Sequence, residues 1–196
     1  MASPRRPPVT LPLTLRNRLA ALILDALRDP VARRTLEALA DRQDPVPPDW
    51  IGPVEREYVG AFRDRVERAA VAVAVRPLAS GGRRLDEALA GAAALFDAAL
   101  YFEVHELLEP HWIEAAVGER DALQGLIQVA VGYQHLANGN VRGARALLDE
   151  GSAKVESRRL GALDLTLFAR AVRATIARIG AGEFDWSLVP RFPREE

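Results

Sequence analysis

Side chains with acid–base and metal-binding chemistry recur on one face of a predicted helix that spans residues 101–116. A helix turns by about 100° per residue, so His105, Glu109 and Trp112 share a face with Phe102, and Glu106 lies at its edge. Imidazole and carboxylate groups bind divalent metals and also serve as general acids and bases. This face therefore predicts either a metal site or a polar network.

A second polar stripe lies on the next predicted helix, residues 120–136, and consists of Gln124, Gln128, Val131 and His135. The rest of that helix is apolar, and polar groups aligned on a buried helix need hydrogen-bond partners. The link around Gly118 is short, which makes the two helices antiparallel neighbours. Gly125 and Gly132 would permit a close approach. We therefore expect the two stripes to face each other across a pocket.

One interpretation of this pocket is a metal centre in which His105, Glu109 and His135 bind zinc, manganese or iron. Two histidines and one carboxylate are a recurring ligand set for such ions. Glu106 or Glu109 would then be the catalytic base of a metal-assisted hydrolase. The side chains expected to support this set are Glu103, Gln128 and Trp112.

The alternative is a buried hydrogen-bond network that fixes helix register in a non-enzymatic structural or protein-interaction module. The segment His105-Glu106-x-x-Glu109 differs from the zincin motif, whose second metal ligand is a histidine. It also lacks the Glu-x-x-His pairs of di-iron bundles. Both interpretations therefore remain open at this point.

Three separated motifs resemble those of the family called domain of unknown function 309. They are the run FDAALYFEVHELLE at residues 96–109 with Trp112, the run GLIQ at 125–128 with His135, and the run GNVRGA at 139–144. The resemblance covers roughly residues 89–150 and implies a small helical bundle without an established activity. Two residues of the turn before the motif helix depart from the family pattern: Asp97 replaces the usual asparagine, and Ala99 replaces the usual glycine.

The composition is that of an ordinary globular protein. Of the 196 residues, 49% are hydrophobic, and 26 basic residues against 27 acidic ones give a net charge of -1. Such a balance makes nucleic-acid binding an unexpected function. Lys154 is the only lysine, which we attribute to the codon usage of a GC-rich genome. The absence of cysteine excludes disulfides, thiolate metal sites and a cysteine nucleophile.

Apolar residues at helical spacing predict an all-α fold, a compact helical bundle with an N-terminal three-helix extension. We expect a disordered arm at residues 1–12, the extension at 13–80, the bundle domain at 83–182 and an aromatic tail at 183–196. The proline-rich segment 44–53 and Ser80-Gly81-Gly82 indicate loops. Asn140 and Asp164 are predicted N-caps, and Gly180 with Gly182 should end the last helix.

Neither a signal peptide nor a membrane span is expected. Residues 1–12 have no apolar core, and the apolar run 19–27 is interrupted by Asp25. A cytoplasmic location is therefore the default expectation. Any homo-oligomer contact or protein partner is expected at the N-terminal helices.

Overall fold

The structure is a computed structural model that describes residues 9–41, 43, 46, 49–79 and 84–194. Its elements are α1 (Leu13–Ala26), α2 (Pro30–Ala40), α3 (Val59–Ala74), α4 (Leu85–Asp97), α5 (Tyr101–Glu114), α6 (Val117–Ala137), α7 (Val141–Val155), β1 (Arg159–Leu160), β2 (Leu163–Asp164) and α8 (Thr166–Ala181). Short 3-10 helices cover Pro53–Tyr58 and Trp186–Leu188. The predicted all-α fold and the three-helix N-terminal extension are confirmed.

Several helix boundaries follow from local chemistry. The Asp29 side chain accepts a hydrogen bond from the Val31 amide, and Pro30 occupies the first turn of α2, where a proline costs no hydrogen bond. Asn140 caps α7 by accepting from the Gly143 amide at 2.9 Å. Gly182, with φ of 72°, ends α8 in the left-handed conformation. The predictions for Asn140 and Gly182 are therefore confirmed.

Some sequence-based boundaries were wrong. The link between α5 and α6 does not lie around Gly118, because α5 ends at Glu114 and Gly118 lies in the first turn of α6. Pro53, which was expected in a loop, begins a 3-10 helix ahead of α3. Gly180 lies inside α8. The expected loop prolines Pro45, Pro47 and Pro48, the Ser80-Gly81-Gly82 break and residues 1–8 of the expected arm lie outside the described residues.

A two-stranded hairpin was not expected from the sequence. Strands β1 and β2 pair antiparallel, with Arg159 opposite Asp164 and Leu160 opposite Leu163. Gly161, at φ of 58°, makes the tight turn between them. Asp164 lies in β2, directly ahead of α8, and its side chain accepts from the Thr166 amide at 2.8 Å. The predicted contact of Asp164 with the first turn of α8 is present, although Leu165 is the cap residue.

One continuous cluster of buried side chains joins the N-terminal helices to the later ones. It includes Leu11, which is 2% exposed, and Phe62 of α3, which is fully buried. The aromatic tail packs back on the bundle, since the Phe192 ring lies 5.4 Å from that of Phe96. Within the described residues, no helix combines the length and apolarity needed to cross a bilayer. This core fixes α5 between the two halves of the chain.

Candidate functional site

The outward face of α5 carries a cluster of one histidine and two carboxylates, which we call the His105 cluster: His105, Glu106 and Glu109. His105 Nδ1 lies 3.0 Å from Glu106 Oε1, and His105 Nε2 lies 3.9 Å from Glu109 Oε1. One nitrogen and two oxygens of the cluster lie within 4.8 Å of one another. Helical spacing brings Glu109 close to both other residues, because residues three and four apart are neighbours on a helix surface, whereas Glu106 directly follows His105 and reaches it through its side chain.

Aromatic rings flank the His105 cluster along the same face. The Phe102 ring lies 6.3 Å from the His105 ring, and the Arg16 guanidinium covers Phe102 at 4.0 Å. Trp112 is half-buried, and its buried Nε1 has no hydrogen-bond partner among the described residues. The predicted alignment of Phe102, His105, Glu109 and Trp112 is therefore present, with Trp112 beyond the cluster toward the end of α5.

Glu103 turns away from this face and into the interior. Its carboxylate accepts from Arg65 Nε at 2.9 Å and from Arg65 Nη2 at 2.8 Å, and the two side chains are 0% and 2% exposed. Glu103 was expected to support His105. Its carboxylate instead forms an ion pair with Arg65 that joins α3 to α5. Arg65 was not among the predicted site residues. Its position three residues after Phe62, on the apolar stripe of α3, is the signal that would have found it.

The polar stripe of α6 makes its hydrogen bonds with α7. Lys154 Nζ donates to Gln124 Oε1 at 2.9 Å. The hydrogen bonds of Lys154 and then of Gln128 hold the pKa of the Glu150 carboxyl below its usual value. The expectation that this stripe faces the His105 cluster on α5 was therefore wrong for these amides.

His135 also belongs to the contact between α6 and α7. Asn140 Nδ2 donates to His135 Nδ1 at 2.7 Å, while Asn140 Oδ1 caps α7. Gly143 leaves room for this arrangement, since a Cβ there would lie 2.9 Å from His135 Nδ1. Among the described residues, His135 is not part of the group formed by His105, Glu106 and Glu109.

Close packing of glycines explains why α6 presents its polar stripe to α7. A Cβ added at Gly125 would lie 2.8 Å from the carbonyl oxygen of Gly151, and one added at Gly132 would lie 2.8 Å from Leu148 Cγ. Gly125, Gln128, Gly132 and His135 recur every three or four residues, so the glycines and the polar side chains share a face. The close approach expected from Gly125 and Gly132 is present, and its partner is α7.

A cavity of about 370 Å³ adjoins the His105 cluster through Glu106. It is bounded by the end of α1, the segment after α3, and helices α4 and α5. Polar side chains that line it include Arg28, Arg76, Glu87 and His111. Of the three cluster residues, Glu106 is the one that lines the cavity, so it is the group best placed to act on a molecule bound there.

The turn that leads into α5 contains both departures from the family pattern. Ala99 has φ of 56°, a left-handed conformation that glycine adopts with less strain. The Asp97 carboxylate accepts from the Phe192 amide at 3.0 Å and lies 2.6 Å from Arg194 Nη2. The negative charge of Asp97 is thus matched by an arginine of the C-terminal segment.

Comparisons with known proteins support the resemblance described above. No curated protein and no solved structure matches the chain. Residues 89–147, from α4 into α7, match the family model described as Domain of unknown function (DUF309). This segment contains the His105 cluster, the His135–Asn140 contact and the turn at Asp97. Over this segment, the chain is similar to the DUF309 family.

Proposed function

We propose that the His105 cluster binds a divalent metal ion. The observation that carries this proposal is the convergence of three ligand atoms within 4.8 Å on one helix face. The side chains of His105, Glu106 and Glu109 are 28%, 38% and 45% exposed, so an ion from solvent can reach them. One imidazole and two carboxylates suit zinc, manganese or ferrous iron and leave positions for water.

His135 has a structural role in this proposal rather than the ligand role that its sequence position first indicated. Its Nδ1 accepts from Asn140, the residue that caps α7. A buried or half-buried polar network of this kind fixes helix register. Glu106 takes the third ligand position because it already lies 3.0 Å from His105 Nδ1.

Metal-assisted hydrolysis is the reaction class that we propose for this site. A bound divalent ion would supply a Lewis acid and lower the pKa of water in its coordination sphere. The neighbouring cavity of about 370 Å³ offers space for a small substrate. Glu106 lines that cavity, and the carboxylate oxygen that it does not offer to the metal would accept a proton there, with the corresponding oxygen of Glu109 as the second candidate base.

The test is thermal unfolding of the full chain with a chelator and with added zinc, manganese or ferrous iron. Binding to the native state stabilises it by about 2.7 kcal/mol when the free metal is about 100 times Kd. We expect metal to raise the midpoint of the wild-type protein and of His135→Ala. The response should be lost in His105→Ala and in Glu109→Gln.

A matched control is Glu119→Gln, which removes a carboxylate from the exposed first turn of α6. It should keep the full metal response. The proposal fails if no metal shifts the wild-type midpoint, or if His105→Ala responds as strongly as the wild type. A response that disappears in His135→Ala alone would restore His135 as a ligand and contradict the set proposed above.

A second candidate function is a protein-interaction module, with the N-terminal helices as the contact surface. It is favoured by exposed apolar side chains on α2 and α3: Val31, Val71 and Val75 are 57%, 69% and 81% exposed. Val75 directly follows α3. Light scattering measures the molar mass in solution of the wild type and of the double variant Val71→Asp/Val75→Asp. Self-association that the double variant abolishes supports this candidate, and a monomeric wild type counts against a homo-oligomer.

A further inference from the structure

A second cavity, of about 680 Å³, lies on the other side of α4 from the His105 cluster. It is enclosed by α4, the β1–β2 hairpin and the C-terminal segment at Pro193 and Arg194. Most of its walls are apolar, and they include Leu85, Leu89, Ala90, Ala93, Leu160 and Leu163. Cavities of this volume, mainly apolar with a few polar groups, are typical of small-molecule sites.

Some of the charged side chains that line this cavity have an interaction partner, and one has no oppositely charged partner. Asp86 is paired with Arg84 at 2.7 Å, and Arg194 is paired with Asp97 at 2.6 Å. Glu87 also has an interaction partner. Arg76 remains, and within the described part of the chain no carboxylate contacts its guanidinium. A half-buried cation with no anionic partner is a candidate for binding an anion from outside the protein.

Further positive charges lie near the Arg76 guanidinium. Burial, and then the neighbouring cations Arg194 and Arg33, lower the pKa of the Arg76 guanidinium. An arginine still remains charged under such conditions, so the repulsion persists in the folded state. The backbone that carries Arg76 is fixed, because Arg33 Nη1 donates to the Arg76 carbonyl oxygen at 2.9 Å. A bound anion would relieve the repulsion without any movement of the chain.

We propose that this cavity binds a small amphipathic anion, with an apolar body between α4 and the hairpin and an acidic head group on Arg76. The apolar walls favour a ligand with a hydrocarbon body, and the guanidinium of Arg76 favours a ligand with a negative charge. Asp86 lines the same cavity, but its carboxylate is already paired with Arg84 at 2.7 Å, so it attracts a cationic head group less strongly. A carboxylate or a phosphate suits this position, because a guanidinium can bind two oxygens of either group.

Calorimetric titration of the full chain tests this proposal with four soluble probes that share an eight-carbon body: octanoate, octyl phosphate, octanol and octylammonium. We expect octanoate to bind, octyl phosphate to compete with it, and octanol and octylammonium to bind at least about tenfold more weakly. Arg76→Met should weaken octanoate binding by about tenfold or more and leave the weak octanol binding unchanged. Arg34→Met, at an exposed arginine of α2, is the matched control and should bind octanoate like the wild type.

A second variant tests the apolar part of the cavity. Ala90 is half-buried and lines the wall on α4, so Ala90→Trp should fill the space and abolish binding of octanoate and octanol alike. Circular dichroism checks that each variant is folded, and Arg76→Gln replaces Arg76→Met if the latter is not. The proposal is overturned if no probe binds, if octanol binds as tightly as octanoate, or if Ala90→Trp binds octanoate like the wild type.

This inference does not depend on the metal site. The two cavities share Arg76 and Glu87, but the His105 cluster adjoins only the smaller one. Octanoate binding is therefore measured in chelator and repeated in His105→Ala. Binding that survives in both conditions belongs to the larger cavity, whatever the outcome of the metal experiments. Octanoate binding that requires metal or His105 would contradict the placement proposed here.

Discussion

Arg65 and Glu103 bind each other through two parallel hydrogen bonds in the interior between α3 and α5, at 2.9 and 2.8 Å. Removing one partner would leave a buried charge without compensation, which costs about 3–5 kcal/mol. We expect Arg65→Met and Glu103→Leu each to lower the free energy of unfolding by that amount. The measurement is denaturant unfolding followed by circular dichroism.

The control for this prediction is the double variant Arg65→Met/Glu103→Leu. It removes both charges at once, so it should be more stable than either single variant. Arg68 complicates the environment, because burial and the nearby Arg65 lower the pKa of its guanidinium. A double variant no more stable than Glu103→Leu would show that Arg68, rather than Arg65, is the main partner of Glu103.

Gly125 is predicted to be essential for the contact between α6 and α7. A Cβ at this position would lie 2.7 Å from Val155 Cγ1 and 2.8 Å from the Gly151 carbonyl oxygen. Gly125→Ala should therefore destabilise the protein by about 1–3 kcal/mol, as overpacking of a core does. Thermal unfolding measures the difference.

Gly118 provides the matched control for Gly125, since it lies in the same helix and an added Cβ would meet nothing within 4 Å. Alanine is favoured over glycine in a helix, so Gly118→Ala should leave stability unchanged or raise it by up to about 1 kcal/mol. If Gly125→Ala and Gly118→Ala changed the stability equally, helix propensity rather than the close approach of α7 would determine both changes.

Ala99 is predicted to be a strained position. It has φ of 56°, a region that costs an alanine about 1–2 kcal/mol and a glycine much less. Ala99→Gly should raise the free energy of unfolding by up to about 1 kcal/mol, because the greater flexibility of unfolded glycine offsets part of the gain. Ala98→Gly, at φ of −86°, should instead lower it. A destabilised Ala99→Gly variant would contradict this account of the turn.

Asp97 is predicted to anchor the C-terminal segment on the bundle. Its carboxylate is 8% exposed and accepts from the Phe192 amide. Asp97→Ala should cost about 1–3 kcal/mol, because it leaves a partly buried amide without a partner. Asp97→Asn keeps an acceptor for that amide and loses only the attraction of Arg191 and Arg194, so its effect should be smaller. Hydrogen exchange at Phe192 follows the release of the segment directly.

The helices could be predicted because apolar spacing is a local property of the chain. The β1–β2 hairpin could not, because strands of two residues are too short to show an alternating pattern. Its one local signal is Gly161 between Leu160 and Leu163. The family resemblance identified the segment around the His105 cluster without indicating how its helices pack.

The proximity of the three residues of the His105 cluster could be predicted from the sequence, since they lie on a single helix. The partner of the α6 stripe was not, because a helical wheel gives directions only relative to its own axis. Gly125 and Gly132 marked a close approach, but Gly151 on α7 decides which helix comes close. The pairing of Arg65 with Glu103 could not be predicted, because the two residues lie 38 positions apart in the chain.

The glycine contact between α6 and α7 also has a consequence for the order of folding. The two helices are joined by residues 138–140 alone, so their contact closes a very short loop and loses little chain entropy. The Arg65–Glu103 pair, by contrast, must bring together distant parts of the chain. We expect the α6–α7 hairpin to belong to the folding nucleus and the ion pair to form after the rate-limiting step. Gly125→Ala would then slow folding, whereas Glu103→Leu would mainly accelerate unfolding.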